Sequence, residues 1–334
     1  MLNDLFVVIL NWNGWEDTRS CLESIKNKGY KIILVDNGSK NKEIVAIESY
    51  FEQNFNTYCS HNREFYESFD SNNVNKSAIL NSEIILIKNN VNLGFAAGNN
   101  VGLRFVQALG GRYALLLNND TVVEDDGLKK MFHTMLNEGN CGAVIPQIRY
   151  FDPSDVIWNC GGTINQLGIR KYKYAFSNIN DVPQKGVEKV DYGTGCALLI
   201  DLQKTGILSE KYFFGEEDLE FAFRLKKRNL TILCDYESVI YHKVGASRNQ
   251  ISENAVGKMT YHYCQRISNL KDNLNIFYWI SSVFLHMLSS CKLLFKMKKL
   301  NIKTVFRVWK EVLSNVSKEK FVLNDFVTIS NKEY

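Results

Sequence analysis

Through the first half of this 334-residue chain, short apolar runs alternate with stretches of helical periodicity, and several of the runs stop on polar clusters. Leu5–Leu10, Lys31–Val35, Glu83–Ile87 and Tyr113–Leu117 have the length and composition of strands. Between them Cys21, Leu22 and Ile25, then Ile44, Ile47 and Phe51, then Val101, Phe105 and Leu109 recur at the spacing of one helix face. Alternation of this kind predicts an α/β fold, a mostly parallel central sheet flanked by helices. A helix around Leu128, Met131, Phe132 and Met135 follows, and Ala143–Ile145 and Ala197–Ile200 read as short strands. From Asn54 to about Ser82 the period fails, and an exposed insertion or irregular hairpin is expected there.

Hydrophobic residues make up 45% of the chain, enough for a sizeable core. The net charge is only +4, but residues 256–334 hold 13 Lys and Arg against 5 Asp and Glu. An acidic-to-neutral body, residues 1–255, thus precedes a basic, aromatic, helical C-terminal extension, residues 256–334, suited to an anionic partner. The eight cysteines are scattered without a C-x-x-C pair, the pattern of reduced cytoplasmic thiols, and a structural zinc site is not expected. No basic segment or cleavage site precedes Leu5, so export is not expected either.

Within the extension, Asn273–Cys291 contains no Asp, Glu, Lys or Arg and approaches the ~20 residues of a membrane helix. Asn275, Ser281, Ser282 and His286 weaken a spanning role, and Lys292, Lys296, Lys298, Lys299 and Lys303 follow. Aromatic side chains beside a lysine cluster predict a helix lying on an anionic membrane surface through residues 273–303, with the chain peripheral at the cytoplasmic, inner face of the cell membrane. A helical cap packed on the body is the alternative. Nucleic acid is not expected as a partner, because no basic-aromatic module for it is present.

The chemistry sits in the polar clusters. Tyr113–Leu117 runs into Asn118-Asn-Asp120, and a carboxylate at the carboxyl end of a strand lies where open α/β folds bind ligands. Asp120, with Asn118 as a neutral ligand or ribose contact, offers hard oxygens to Mg²⁺ or Mn²⁺ held against a diphosphate; a turn or helix cap is its plainer role. Asn11-Trp-Asn13-Gly and Asp36-Asn37-Gly-Ser end two strands expected to be neighbours. Asp36 can accept from a pyrimidine N–H or a ribose hydroxyl, although ordinary turns use the same residues. In Asn92-Leu-Gly94-Phe-Ala-Ala-Gly98-Asn99-Asn, a glycine-containing loop opens a helix whose amino end can face phosphate or ribose. Its glycine spacing is not that of the dinucleotide fingerprint, which argues against NAD.

Phe213-Phe-Gly-Glu216-Glu217-Asp218-Leu-Glu220 carries three consecutive carboxylates. Their repulsion raises the proton affinity of at least one and suits a general base, while acidic residues in a first helical turn are also favourable simply against the helix dipole. His242, closing Val239-Ile-Tyr-His, can complete a Mn²⁺-like site or meet a diphosphate, or it is structural.

In order, Asn11-Trp-Asn-Gly, Val35-Asp-Asn-Gly-Ser, Asn92 to Asn100, Leu116-Leu-Asn-Asn-Asp, Gly193-Thr-Gly-Cys-Ala-Leu-Leu-Ile, Glu217-Asp-Leu-Glu-Phe, and His242 with Gly245-Ala-Ser resemble the family 2 inverting glycosyltransferases. The resemblance is nearest to their bacterial rhamnosyltransferase-like branch and covers about residues 5–250. It implies a GT-A fold, a nucleotide-sugar donor such as dTDP-rhamnose or a UDP-sugar, a glycan or lipid-linked acceptor in surface polysaccharide synthesis, and a divalent cation. By position it makes Asp120 the metal-binding end of the family's D-x-D-type element, Asn11 and Asp36 nucleotide contacts, and Asp218 the base, with Glu217 the next candidate. It matches His242 to a position that can meet the metal or diphosphate. Asn118 stands where the element commonly has its first Asp, which removes one negative charge from the metal, and the 54–82 stretch is longer and more polar than usual. A non-catalytic nucleotide- or glycan-binding module of the same fold is the rival from another class. A sugar nucleotidyltransferase is disfavoured, since its Gly-rich, Arg-containing amino-terminal loop is absent.

Overall fold

The computed structural model describes residues 4–67, 79, 81–124, 126–244 and 254–334; Gly245-Ala246-Ser247 of the motif series and residues 68–78 of the polar stretch lie outside them. The alternating half consists of β1 (Leu5–Asn11), α1 (Trp15–Ile25), β2 (Lys31–Asp36), α2 (Asn41–Asn54), β3 (Tyr58–Asn62), α3 (Arg63–Glu67), β4 (Ile84–Lys88), α4 (Phe95–Ala108) and β5 (Tyr113–Asn118). After it come β6 (Thr121–Val123), α5 (Gly127–Asn137), β7 (Cys141–Tyr150), β8 (Ile157–Asn159), β9 (Gly162–Ile164), β10 (Arg170–Tyr172), β11 (Val187–Val190), β12 (Ala197–Asp201), α6 (Leu202–Thr205), α7 (Glu217–Lys227) and β13 (Thr231–His242). The extension is four helices: α8 (Ala255–Asn273), α9 (Ile276–Lys296), α10 (Ile302–Ser314) and α11 (Leu323–Asn331).

One 11-stranded sheet runs β11-β13-β7-β12-β5-β1-β2-β4-β3, with β6 pairing β13 and β8 pairing β7 at its margin. From β5 to β3 the strands are parallel, as the βα alternation predicts, and β12 enters antiparallel between β5 and β7. Successive side chains of β1 feed two cores. Leu5, Val7 and Ile9 pack with Cys21, Leu22 and Ile25 of α1 and Phe51 of α2, while Phe6 and Val8 pack with Val101 and Phe105 of α4. A strand buried on both faces needs apolar residues at every position, which is why these runs are continuous rather than alternating.

Three segments differ from the sequence expectation. In place of an insertion or hairpin after Asn54, Tyr58–Asn62 is a parallel edge strand on β4, followed by the short α3. Its outer positions are half-exposed or exposed and carry Ser60, His61 and Asn62, so no apolar pattern marks it. β7 spans ten residues, not the three at Ala143–Ile145, because the buried Gln147 that interrupts the apolar pattern donates from its amide to the Pro183 carbonyl at 3.1 Å. β13 has twelve residues, and a shift of register between Asp235 and Val239 separates the strand near His242 from its earlier half. Packing is continuous across residue 255: Met259, Cys264, Ile267 and Leu270 of α8 share a core with Leu219 and Phe223 of α7.

Candidate active site

Parallel pairing brings the polar strand ends to one edge. Asn11 lies opposite Asp36 and Leu10 opposite Asn118, so β1, β2 and β5 finish together. There Asn11 donates from Nδ2 to Asp36 Oδ1 at 2.8 Å, Ser39 donates its backbone N–H to Asp36 Oδ2 at 2.9 Å, and Asn11 Oδ1 accepts from Thr18 at 2.8 Å. Asn13 closes the edge in a left-handed conformation, its Oδ1 accepting from the Lys40 N–H at 2.9 Å. Asn37 is spent internally: its amide donates to Asn92 Oδ1 and the Gly94 carbonyl and accepts from Asn89 and the Leu93 N–H. It therefore shapes the 89–94 loop.

That loop delivers the start of α4. Gly94 has φ +84°, and a Cβ there would come within 2.3 Å of the Phe213 carbonyl oxygen, which accepts from the Phe95 N–H at 3.0 Å. The glycine is thus required by backbone conformation and by close approach alike. Asn99, one turn on, is buried and donates to the Phe95 carbonyl at 3.0 Å.

Beyond the end of β5, Asn119 and Asp120 part company. Asn119 turns back to Thr18 Oγ1 and the Gly14 carbonyl, whereas Asp120 meets β13. Antiparallel pairing of β6 with β13 sets His242 opposite Thr121, the Lys243 N–H donates to the Asp120 carbonyl at 2.9 Å, and His242 Nε2 lies 3.2 Å from Asp120 Oδ1. Both side chains are buried, the imidazole is wedged edge-on by Trp158 with ring centroids 4.4 Å apart, and neither Asp120 Oδ1 nor His242 Nδ1 has a hydrogen-bond partner. Buried polar atoms are normally paired, and a carboxylate oxygen without a hydrogen bond, facing an imidazole nitrogen, is a pair that could supply two donors to a cation. Among the described residues no group of three or more His, Cys, Asp and Glu side chains could hold a metal, so a cation here would need further ligands from outside the chain, as Mg²⁺ takes from substrate phosphates and water.

The acidic trio occupies the entrance of α7, and its three members have separate environments. Glu216, at φ +89°, is buried and accepts from Arg266 Nε at 2.7 Å and Asn269 Nδ2 at 3.3 Å, while Asn269 also donates to its carbonyl. Burial pushes its carboxyl up, but Arg266, Arg170 and His262 outweigh it and hold the group below the usual range. Glu217 is buried with Oε2 unpartnered; burial first, then Asp218 and Glu216, push it up to about 8. Asp218 accepts from the Tyr192 hydroxyl and from Arg170 Nη1 at 3.3 Å. Burial and then Asp218 raise the Tyr192 phenol far above its ordinary value, so it stays a donor.

Sequence reasoning did not find Arg170, Tyr192, Arg266 or Asn269. Arg170 arrives on β10 from the 151–190 region and Arg266 and Asn269 from the extension, and no spacing links any of them to Asp218 or Glu216. Tyr192 was the nearest to visible, one residue before the Gly193-Thr-Gly-Cys196 motif. That motif also joins the two halves of the site. Cys196 accepts from the Asn118 N–H at 2.8 Å, and four residues can separate it from Tyr192 by at most ~14 Å. Cys196 thus links the end of β5 to the segment that carries Tyr192, and Tyr192 in turn grips Asp218.

A single large sheet flanked by helices, with polar strand ends and acidic groups at its carboxyl edge, is the GT-A architecture of nucleotide-sugar transferases. The fold resembles that of GalNAc-T7 with UDP, GalNAc and Mn²⁺, with a TM-score of 0.54, 13% identity and coverage of 79% of this chain but only 50% of that one. It also resembles the mannosyltransferase PcManGT from Pyrobaculum calidifontis in complex with GDP-Man and Mn²⁺, with a TM-score of 0.50, 10% identity and coverage of 98% and 84%. In sequence the chain is homologous to a glycosyltransferase, being 23% identical over 255 residues, 73% of its length and 68% of the relative's, to the low-salt glycan biosynthesis hexosyltransferase Agl10 of Haloferax volcanii. No protein-family model matches the chain.

Proposed function

We propose that this chain is a metal-dependent inverting glycosyltransferase that moves one hexose from a nucleotide-diphosphate donor to a hydroxyl of a glycan or lipid-linked acceptor in surface polysaccharide synthesis. The observation that carries the proposal is the meeting of Asp120 and His242 just beyond β5, whose end lies beside those of β1 and β2 with Asn11 and Asp36; Asp218, linked through Tyr192 and the Gly193–Cys196 segment to the end of β5, supports it. The homology to a hexosyltransferase and the likeness in fold to proteins solved with UDP or GDP-Man and Mn²⁺ support it. The order of motifs favours the rhamnosyltransferase-like branch of family 2, and hence dTDP-rhamnose or a UDP-sugar as donor. Residues 1–255 are the catalytic unit in this reading, and the extension serves it from the membrane side.

Asp120 and His242 would hold Mg²⁺ or Mn²⁺, which when bound supplies Lewis-acid stabilisation of the departing nucleoside diphosphate. Asp36, braced by Asn11 and Ser39, is set to accept from the base or ribose. Asp218 takes the proton of the acceptor hydroxyl as that oxygen bonds to the anomeric carbon and the bond to the diphosphate breaks on the opposite face. Configuration inverts in this single displacement, with no covalent glycosyl intermediate. Glu217, which burial and its acidic neighbours push up to about 8, is the second candidate for the base, and it is more deeply buried than Asp218.

Release of nucleoside diphosphate from a panel of nucleotide sugars, with and without chelator, tests the proposal. One donor should be consumed in an acceptor-stimulated, chelator-sensitive reaction. Binding of nucleotide with no turnover on any donor, acceptor present, would instead support the non-catalytic module.

A further inference from the structure

We propose that the outward faces of α9 and α10 form one docking surface for an anionic lipid bilayer, on which α9 lies flat without spanning it. The proposal deepens the peripheral-membrane part of the reading above and is independent of the transfer chemistry.

By length and composition α9 is the one helix among the described residues able to cross a membrane. Its packing is inverted relative to a core helix. Ser282 and Ser290 are fully buried, whereas Phe277 is 78% exposed, Phe284 55%, Leu288 45% and Phe295 72%. Spaced by seven, four and seven residues, these four fall within about 40° of one another around the helix. α10 repeats the arrangement with Ile302 at 86%, Phe306 at 67% and Leu313 at 48%, which fall within a similar arc. A soluble monomer rarely leaves so many large apolar side chains contiguous in water.

The polar seam on the opposite side decides between lying and spanning. Ser282 Oγ donates to the Leu167 carbonyl at 2.9 Å, Trp309 Nε1 of α10 donates to Ser290 Oγ at 2.9 Å, and Trp279 Nε1 donates to the Ile267 carbonyl at 3.2 Å. These bonds tie α9 to the body at Leu167, to α8 at Ile267 and to α10 at Trp309, from its first turn to its last third. Insertion across a bilayer would break the bonds to Leu167 and Ile267 and leave Ser282 and Trp279 unpaired in hydrocarbon.

Charge identifies the occupant. Between Asp272 and Glu311 there is no Asp or Glu and there are seven Lys and Arg, from Lys292 to Lys310, all exposed. Lys303, Arg307 and Lys310 line one flank of the α10 stripe, and Lys292 and Lys296 one flank of the α9 stripe. Apolar side chains bordered by cations match the acyl and headgroup layers of an anionic leaflet. A second copy of this chain would bring the same positive field and be repelled.

Sedimentation of the full-length protein with vesicles tests this. Phosphatidylcholine vesicles containing phosphatidylglycerol should bind the protein in a salt-sensitive manner, and pure phosphatidylcholine should bind it weakly. F277S/F284S should lower partition at least ~10-fold on both lipids, and K296Q/K298Q/K299Q about 100-fold on the anionic vesicles alone. Every substituted side chain is exposed, so melting temperatures should match the parent, and basal nucleoside diphosphate release from soluble donor should be unchanged. Equal binding to both lipids, indifference to the substitutions, resistance to alkaline carbonate extraction, or dimerisation in place of vesicle binding would each overturn the proposal. Lipid binding in the expected pattern without diphosphate release on any donor would sink the transferase reading and leave this surface standing; the reverse result would do the opposite.

Discussion

His242 Nε2 stands 3.2 Å from Asp120 Oδ1, although 122 positions separate the two residues in the chain. The contact is set by strand pairing, since β6 and β13 run antiparallel with His242 opposite Thr121. Asp120 Oδ1, which faces that nitrogen, makes no hydrogen bond, and a bound cation would give it a charged partner; His242 Nδ1, the other ring nitrogen, is unpaired as well.

Removing either member should therefore weaken the response of nucleotide binding to metal more than nucleotide binding itself. Calorimetric titration of nucleoside diphosphate with and without Mn²⁺ should show the metal-dependent gain falling at least ~10-fold in Asp120→Ala and by a similar factor in His242→Ala. An undiminished gain in both would mean that the cation, if any, sits elsewhere.

Asp218 is held by Tyr192 and Arg170, which fix its carboxylate at the entrance of α7. Asp218→Asn should retain donor affinity while turnover falls ~10²–10⁴-fold, the usual range for losing a general base. Tyr192→Phe should lower kcat by less and leave KM for the donor nearly unchanged, because it loosens the base without removing it. Near-parental turnover in Asp218→Asn would transfer the role to Glu217.

Glu217 also predicts a pH dependence of stability. Its folded value, about 8, lies above the ordinary 4.5, so the unfolded chain releases this proton first as pH rises. Stability contributed at this site is intact below about 4.5 and declines through the interval up to about 8. Glu217→Gln lacks the decline, so its melting temperature should gain on the parent progressively across that interval and level off beyond it. A constant difference between the two proteins from pH 4.5 to 8 would show that Glu217 does not titrate this way.

The Arg266 and Glu216 pair is buried on both sides, with side chains 6% and 1% exposed. Arg266→Met leaves a buried carboxylate with Arg170 and His262, each at 4.0 Å, and Asn269 to answer it. Urea denaturation should show a loss of about 3–5 kcal/mol. Pairing Arg266→Met with Glu216→Gln should recover part of that loss, whereas strictly additive effects would mean that the two residues are not coupled.

Legibility followed burial. β1, β2, β4 and β5 were readable because strands covered on both faces must be apolar throughout, and the polar ends of three of them marked one sheet edge at Asn11, Asp36 and Asn118. β3 was hidden because an edge strand has one open side and carries Ser60, His61 and Asn62 there. The full length of β7 was hidden by Gln147, whose partner, the Pro183 carbonyl, is invisible in one dimension. Asn37, read from the sequence as a ligand contact, also fastens the 89–94 loop through its side-chain amide, a role that only its spatial neighbours reveal.

The order of strands and helices, the apolar cores and the chemical types at the strand ends were determined by the sequence itself, since burial and local periodicity act within a few residues. Tertiary structure alone decided that His242 answers Asp120, that Arg170 and Tyr192 grip Asp218, and that α8 supplies Arg266 to Glu216. Those relationships depend on strand register and helix docking between segments tens to more than a hundred residues apart. No local preference encodes such distances; they are fixed when the sheet closes and the extension packs against it.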